Sequence, residues 1–140
     1  MGAADWGARA AAVPIDGRAL IDGQRVAALD GQCFDKHSPI DGRLLGPIAR
    51  GQAADIDAAV KAARAAFEDG RWAGKAPAAR KKILQRFAEK ILAARDELAL
   101  LETLDMGKPI QYSLSVDVPS AARTIRNRSL QANPVSRSKR

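Results

Sequence analysis

Residues 19–49 alternate short apolar runs with Asp-Gly and Ser-Pro pairs, whereas from residue 55 onward the apolar residues return every three or four positions. The first pattern predicts strands and the second helices. Leu20-Ile21, Asp22-Gly23 and Gln24-Arg25-Val26 read as a hairpin over residues 19–26, because Asp-Gly readily takes the positive φ angles of a type I′ turn. Two more extended segments are expected over residues 32–37 and 44–49, with Ser38-Pro39 and Asp41-Gly42 turning the chain between them. So small a sheet buries little by itself and needs a surface to lie on.

Ile56, Val60, Ala63 and Phe67 fall at helical spacing on one face, with Asp55 and Asp57 in the first turn, where the helix dipole favours negative charge. Gly70 is the expected terminator, and Ala62, Ala63, Ala65 and Ala66 make the helix narrow. Pro77 suits the first position of the next helix, since its fixed φ is helical and its missing N–H is not needed there. Ile83, Leu84, Phe87, Ile91 and Leu92 then predict a core-facing stripe. A re-cap at Asp96 leads into Leu98, Leu101 and Leu104, and Gly107 with Pro109 supplies the stop. A last amphipathic run carries Ile110, Leu114, Val118 and Ile125, and is broken or begun near Pro119.

Composition narrows the class. The chain has 140 residues, the length of one ordinary domain, and its 46% apolar and 28% charged residues suit a soluble globular protein, with only 4% aromatic. A single cysteine, Cys33, excludes an intramolecular disulfide framework and fits a reducing, cytoplasmic setting. The Ala-rich start contains Asp5 and Arg9 and no continuous apolar run, so residues 1–18 are expected to be a flexible lead-in with neither signal peptide nor membrane span. The formal charge of +7 raises nucleic-acid binding, but residues 127–140 carry Arg128, Arg137, Lys139 and Arg140 without an acid, which leaves +3 for the rest. The run Arg80-Lys81-Lys82 is expected on a solvated helix face.

Four stretches together resemble a known family. Glu102-Thr103-Leu104-Asp105-Met106-Gly107-Lys108-Pro109 is similar to the E-T-L-D-x-G-K-P signature of NAD(P)-dependent aldehyde dehydrogenases. Leu20-Ile21-Asp22-Gly23 resembles that family's first hairpin, and Phe34-Asp35-Lys36-His37-Ser38-Pro39-Ile40-Asp41-Gly42 its F-x-x-x-[NS]-P-x-[TD]-G segment. The helix beginning at Asp55-Ile56-Asp57, followed by Trp72, completes the order. Ser113-Leu114-Ser115-Val116-Asp117-Val118-Pro119 and Ala121-Ala122-Arg123 lean toward the γ-glutamylaminobutyraldehyde type. The resemblance implies an α/β parent fold, of which residues 19–126 would be an N-terminal segment, mainly α-helical with a small antiparallel β element. It implies a parent that oxidises an aldehyde to a carboxylic acid with hydride transfer to NAD or NADP and that assembles as a homo-oligomer. The family-like sequence gives way after Arg126 to a polar basic run over residues 127–140, for which a frameshift or premature end is the expected origin.

The chemistry of such an enzyme needs a thiolate nucleophile, a carboxylate base, an oxyanion site and a nucleotide site. Cys33 lacks the family nucleophile's surroundings and is expected to be a half-buried small side chain in the hairpin region, and His37 a strand residue without a triad. Lys108 lacks the preceding glycines of a phosphate-binding loop. The chain alone is therefore expected to be inert and to bind neither NAD nor NADP. One binding feature carries over from the resemblance: a monovalent cation held by the backbone carbonyls of Lys36 and His37 and by the carboxylate of Asp117. The alternative for Asp117 is a cap on the last helix. The alternative for the whole chain is a small basic helical module that binds nucleic acid or a protein partner, although nucleic acid is not the expected partner.

Overall fold

A computed structural model describes residues 5–130, as two compact units. The first comprises the chain up to Arg71 together with Leu104–Gly107, and the second comprises Trp72–Thr103 and the chain from Lys108 onward.

The first unit opens with helix α1 (Trp6–Ala12), where the Asp5 carboxylate accepts the Ala8 N–H at 3.0 Å. The lead-in expected to be flexible thus contains a capped helix, because an Asp three residues before an Ala-rich run satisfies an otherwise free N–H. Strands β1 (Ala19–Ile21) and β2 (Gln24–Val26) pair antiparallel with Ile21 opposite Gln24. Asp22 and Gly23 between them have φ of 49° and 76°, as a type I′ turn requires. Strands β3 (Cys33–His37) and β4 (Leu44–Ala49) form a second antiparallel pair with Phe34 opposite Ile48 and a register irregularity between Lys36 and His37. Gly17 adds a parallel bridge to Ile48 and accepts the Ala49 N–H at 2.8 Å. A Cβ on Gly17 would sit 2.1 Å from the Pro47 carbonyl oxygen, so only glycine permits this approach.

Helix α2 (Ala53–Glu68) packs in an unexpected sense. Its inward positions are Asp55, Ala59, Ala62 and Ala66, while Ile56, Val60 and Phe67 are 59%, 59% and 72% exposed. The large apolar stripe read as the packing face therefore points outward, and a stripe of small residues about a quarter-turn away does the packing. Asp55, 6% exposed, anchors that inner face by accepting the Gln52 and Leu29 N–H groups, each at 2.9 Å.

In the second unit, α3 (Pro77–Ala93) starts on Pro77 as the sequence predicts and packs along α6 (Val118–Leu130). Their seam is again built from small residues: Ala88 is 0% and Ala122 2% exposed, with Val118 and Ser129 also buried. Of the stripe expected to face the core on α3, Leu84 and Ile91 are half-buried, whereas Ile83, Phe87 and Leu92 are exposed. Arg80 and Lys81 are half-buried as well, so only Lys82 of the basic run lies on a fully solvated face. Helix α4 (Arg95–Met106) buries Ala99, Leu100 and Leu104 rather than the Leu98–Leu101–Leu104 set, with Leu98 exposed.

A short helix α5 (Ile110–Tyr112) runs through one π-helical turn (Ser113–Asp117) into α6. The Val118 N–H reaches back five residues to the Ser113 carbonyl. Pro119 explains the wider turn, since its ring has no N–H and would crowd the carbonyl four residues earlier in a regular α-helix. Helix α6 continues past Arg126 to Leu130, the last described residue, with Ser129 buried and its hydroxyl donating to the Arg126 carbonyl at 2.5 Å. The change in composition after Arg126 therefore does not end the helix; the rest of the expected tail lies outside the described residues.

Candidate functional site

Charged side chains gather on either side of the Gly107-Lys108-Pro109 stop, and each group is closed within its own unit. Gly107 takes φ of 74°, the left-handed conformation that terminates a helix, with Pro39 so close that a Cβ would meet its Cγ at 3.2 Å. In the first unit, Lys36 Nζ lies 2.7 Å from Asp105 Oδ1 and donates to the Asp105 carbonyl at 3.2 Å. A cation at the last turn of α4 complements the partial negative charge there.

In the second unit, Lys108 Nζ lies 2.6 Å from Asp117 Oδ2 and 3.7 Å from Glu102 Oε1, and it sits 4.6 Å from the centre of the Tyr112 ring. The hydrogen bond to Asp117 is the largest of the influences that raise the Lys108 pKa above its ordinary 10.5, with the charges of Asp117 and Glu102 adding to it. A lysine so held stays protonated, the reverse of what an amine nucleophile or base requires. Lys108 is therefore an ionic strut between Glu102 and the π-helical turn.

The cation ligands inferred for Lys36, His37 and Asp117 are distributed accordingly. Lys36 and His37 lie on β3, where they face Gly46 and Leu44 across the ladder, and both belong to the first unit. Asp117 belongs to the second, closes the π-helical turn and gives its carboxylate to Lys108. A carboxylate already neutralised by an ammonium does not fit a cation site unless that ammonium moves. Asp117 does stand directly before α6, but it is not a free-standing cap, since the π-helical turn runs on into α6 without a break. Among the described residues, no group of three or more His, Cys, Asp or Glu side chains is placed to hold a metal ion.

His37 is a strand residue, as expected, but Cys33 is exposed rather than half-buried. It borders a cavity of about 290 Å³ in the first unit, lined also by Ile15, Asp16, Arg18, Gln32 and Pro47. The charged pair in that wall satisfies itself: Arg18 donates to both carboxylate oxygens of Asp16 at 3.0 and 2.9 Å, and this holds Asp16 well below the usual carboxylate range. No helix among the described residues is long and apolar enough to cross a membrane.

Sequence reasoning placed Asp55 only in the helix dipole and missed its two backbone hydrogen bonds; a polar residue followed three positions later by Asp is the signal that points to the first of them. The partnership of Lys108 with Asp117, nine residues apart across a turn, had no comparable local sign.

Residues 26–138 match the sequence profile of the Aldehyde dehydrogenase family. The chain is 46% identical over 121 residues to the NADP/NAD-dependent aldehyde dehydrogenase PuuC of Escherichia coli, covering 86% of this chain and 24% of that protein. It is 42% identical over 122 residues to an aminoacetaldehyde dehydrogenase of Pseudomonas aeruginosa, covering 87% of this chain and 25% of that one. Among solved structures, γ-glutamyl-γ-aminobutyraldehyde dehydrogenase from Burkholderia cenocepacia superposes with a TM-score of 0.91 at 49% identity, over 94% of this chain and 27% of the other. An indole-3-acetaldehyde dehydrogenase of P. syringae, solved with NAD+, gives 0.90 at 50% identity over 92% and 26%. The chain thus spans about a quarter of these relatives, in their N-terminal portion. Its sequence match over residues 26–138 and the backbone likeness to these structures place the chain in the aldehyde dehydrogenase family.

Proposed function

We propose that this chain is the N-terminal structural segment of an NAD(P)-linked aldehyde dehydrogenase and contributes scaffold rather than chemistry to it. The parent activity is oxidation of an aldehyde to a carboxylic acid with hydride transfer to NAD or NADP, and aminoaldehydes of the γ-glutamylaminobutyraldehyde type are the favoured substrates. The supporting observation is the backbone likeness over 94% of this chain to 27% of the Burkholderia enzyme. The charged groups support a structural role: Lys36 and Lys108 are engaged by Asp105 and Asp117, and Asp16 by Arg18. The parent is taken to be a cytoplasmic homo-oligomer. A nucleic-acid-binding module has less support, because Arg18, Arg43 and Arg71 also sit beside carboxylates.

The test is a chimera in which this chain replaces the matching segment of E. coli PuuC. The chimera should oxidise γ-glutamylaminobutyraldehyde with NAD(P)+, while the chain alone gives no turnover. A folded but inactive chimera would contradict the reading, and so would turnover by the chain alone that disappears in Cys33→Ser. A monovalent cation at the Lys36 and His37 carbonyls and Asp117 belongs to this proposal only if Lys108 yields the carboxylate. Na+ or K+ should then raise the chimera's melting temperature more than choline does, with the difference lost in Asp117→Ala; equal melting in the three salts would leave Asp117 as the partner of Lys108 alone.

A further inference from the structure

The chain's positive charge is not shared evenly between its units. Among the described residues the first unit has nine Lys and Arg against eleven Asp and Glu, and the second has eleven against five. In the first unit Arg18, Lys36, Arg43, Arg64 and Arg71 each sit beside a carboxylate. The excess in the second falls on α3 and α6, which together carry eight Lys and Arg and one acid, Glu89. On α3, Lys82, Arg86 and Lys90 recur every four residues, all exposed, and none is paired with a carboxylate among the described residues. That spacing puts them in a line about 12 Å long on the side turned away from Ala88, which is buried in the seam with α6. Ile83 and Phe87, 43% and 52% exposed, run beside the line along one edge, and Glu89 borders the other.

Cations alone would suit any polyanion. The apolar pair beside them narrows the choice, because the phosphate backbone of a nucleic acid has no apolar phase to receive Ile83 and Phe87. Phe87 is also the one aromatic side chain on α3, too few for a base-stacking platform. An anionic bilayer surface offers both parts: headgroup phosphates for the cations and the edge of the acyl region for the apolar pair, with the Lys and Arg stems reaching back to the headgroups. We infer that the outer face of α3 is a docking surface for an anionic lipid bilayer, held by Lys82, Arg86 and Lys90 and seated by Ile83 and Phe87. The contact is peripheral, since no helix among the described residues is long and apolar enough to cross a membrane. This role goes beyond that of a scaffold and does not depend on the parent's chemistry.

The experiment mixes the 140-residue chain with vesicles of phosphatidylglycerol and phosphatidylcholine in equal parts, and with vesicles of phosphatidylcholine alone, and reads the bound fraction by sedimentation. The chain should bind the anionic vesicles about tenfold or more tightly than the neutral ones, and about 0.5 M salt should release it. Lys82→Glu combined with Lys90→Glu should weaken binding by about tenfold or more and Phe87→Ser by about threefold or more, whereas Glu89→Lys should strengthen it. Arg50→Glu combined with Lys61→Glu makes the same change of charge on the first unit and should alter binding by less than about threefold. Lys82, Glu89 and Lys90 are exposed, so their variants keep the test decisive even where circular dichroism shows Phe87→Ser to be unfolded. Equal binding to the two kinds of vesicle, or binding to neither, would overturn the inference. So would anionic-vesicle binding that the α3 variants leave unchanged, which would assign it to cations elsewhere. A shift of duplex DNA that is lost in the Lys82 and Lys90 variant, without vesicle binding, would give the face to nucleic acid and overturn the inference as well. Each of these results leaves the family reading intact.

Discussion

The two units pack their helices with small residues but fasten them differently. In the first unit, α2 is held through Asp55, whose carboxylate binds two backbone N–H groups, and the neighbouring strand is fixed by the close approach of Gly17. In the second, α3 and α6 meet through Ala88, Ala122 and Val118, and the polar fastening lies at the end of the seam, where Lys108 pairs with Asp117. A hydrogen-bonded fastening fails when its charge is removed. A small-residue seam fails when bulk is added. The units should therefore respond to different perturbations.

The largest effect is expected from bulk. Ala88→Leu or Ala122→Leu forces extra carbons into a seam with no exposed side, and should destabilise the second unit by about 1–3 kcal/mol in urea unfolding followed by circular dichroism. A change below about 0.5 kcal/mol would mean that α3 and α6 are not in close contact. Gly17→Ala should be of similar size but should strike the first unit, because its Cβ would overlap the Pro47 carbonyl. Hydrogen exchange resolved by residue separates the two: the alanine variants should release amides on α3 and α6, and the glycine variant amides on β4.

Acid should act next, and on the first unit. The backbone hydrogen bonds from Gln52 and Leu29 lower the Asp55 pKa below its ordinary 3.8. The stability it contributes is present above that ordinary value and is lost as pH falls through the lower, folded-state value. Asp55→Asn should remove this part of the acid dependence and lower the melting temperature at neutral pH. An unchanged acid limb would show that the carboxylate does not hold the start of α2. For Lys108 the sign is opposite: a raised pKa gives stability that is complete below 10.5 and is lost as pH rises through the folded-state value. Lys108→Met should flatten the alkaline limb with a smaller effect than that of Asp55→Asn, since the lysine is partly solvated.

What the sequence disclosed follows the same division between local and distant causes. The Asp22-Gly23 turn, the Pro77 start and the Gly107 stop were legible because each is a property of a few adjacent residues. The capped helix at Trp6–Ala12 was missed although its signal, Asp5 ahead of the run, is equally local. The orientation of α2 was not legible in the same way. Its residues offer two stripes at helical spacing, one of large apolar side chains and one of alanines, and periodicity cannot say which the neighbouring strands will take. For the candidate site, the positions of Lys36, His37 and Asp117 along the chain were readable, but the capture of Asp117 by Lys108 depends on how the π-helical turn brings the carboxylate back to the lysine.

The outward stripe of α2 is the account's sharpest departure from the sequence pattern, and two substitutions on the same helix test it within one unfolding measurement. Phe67→Ser alters a side chain that is 72% exposed and should change the chain's stability by no more than about 0.5 kcal/mol. Ala62→Leu adds bulk to the inward face and should cost about 1–3 kcal/mol. The reverse order, a large loss from Phe67→Ser and tolerance of Ala62→Leu, would contradict the account, because it would place the large stripe inside the chain's own fold.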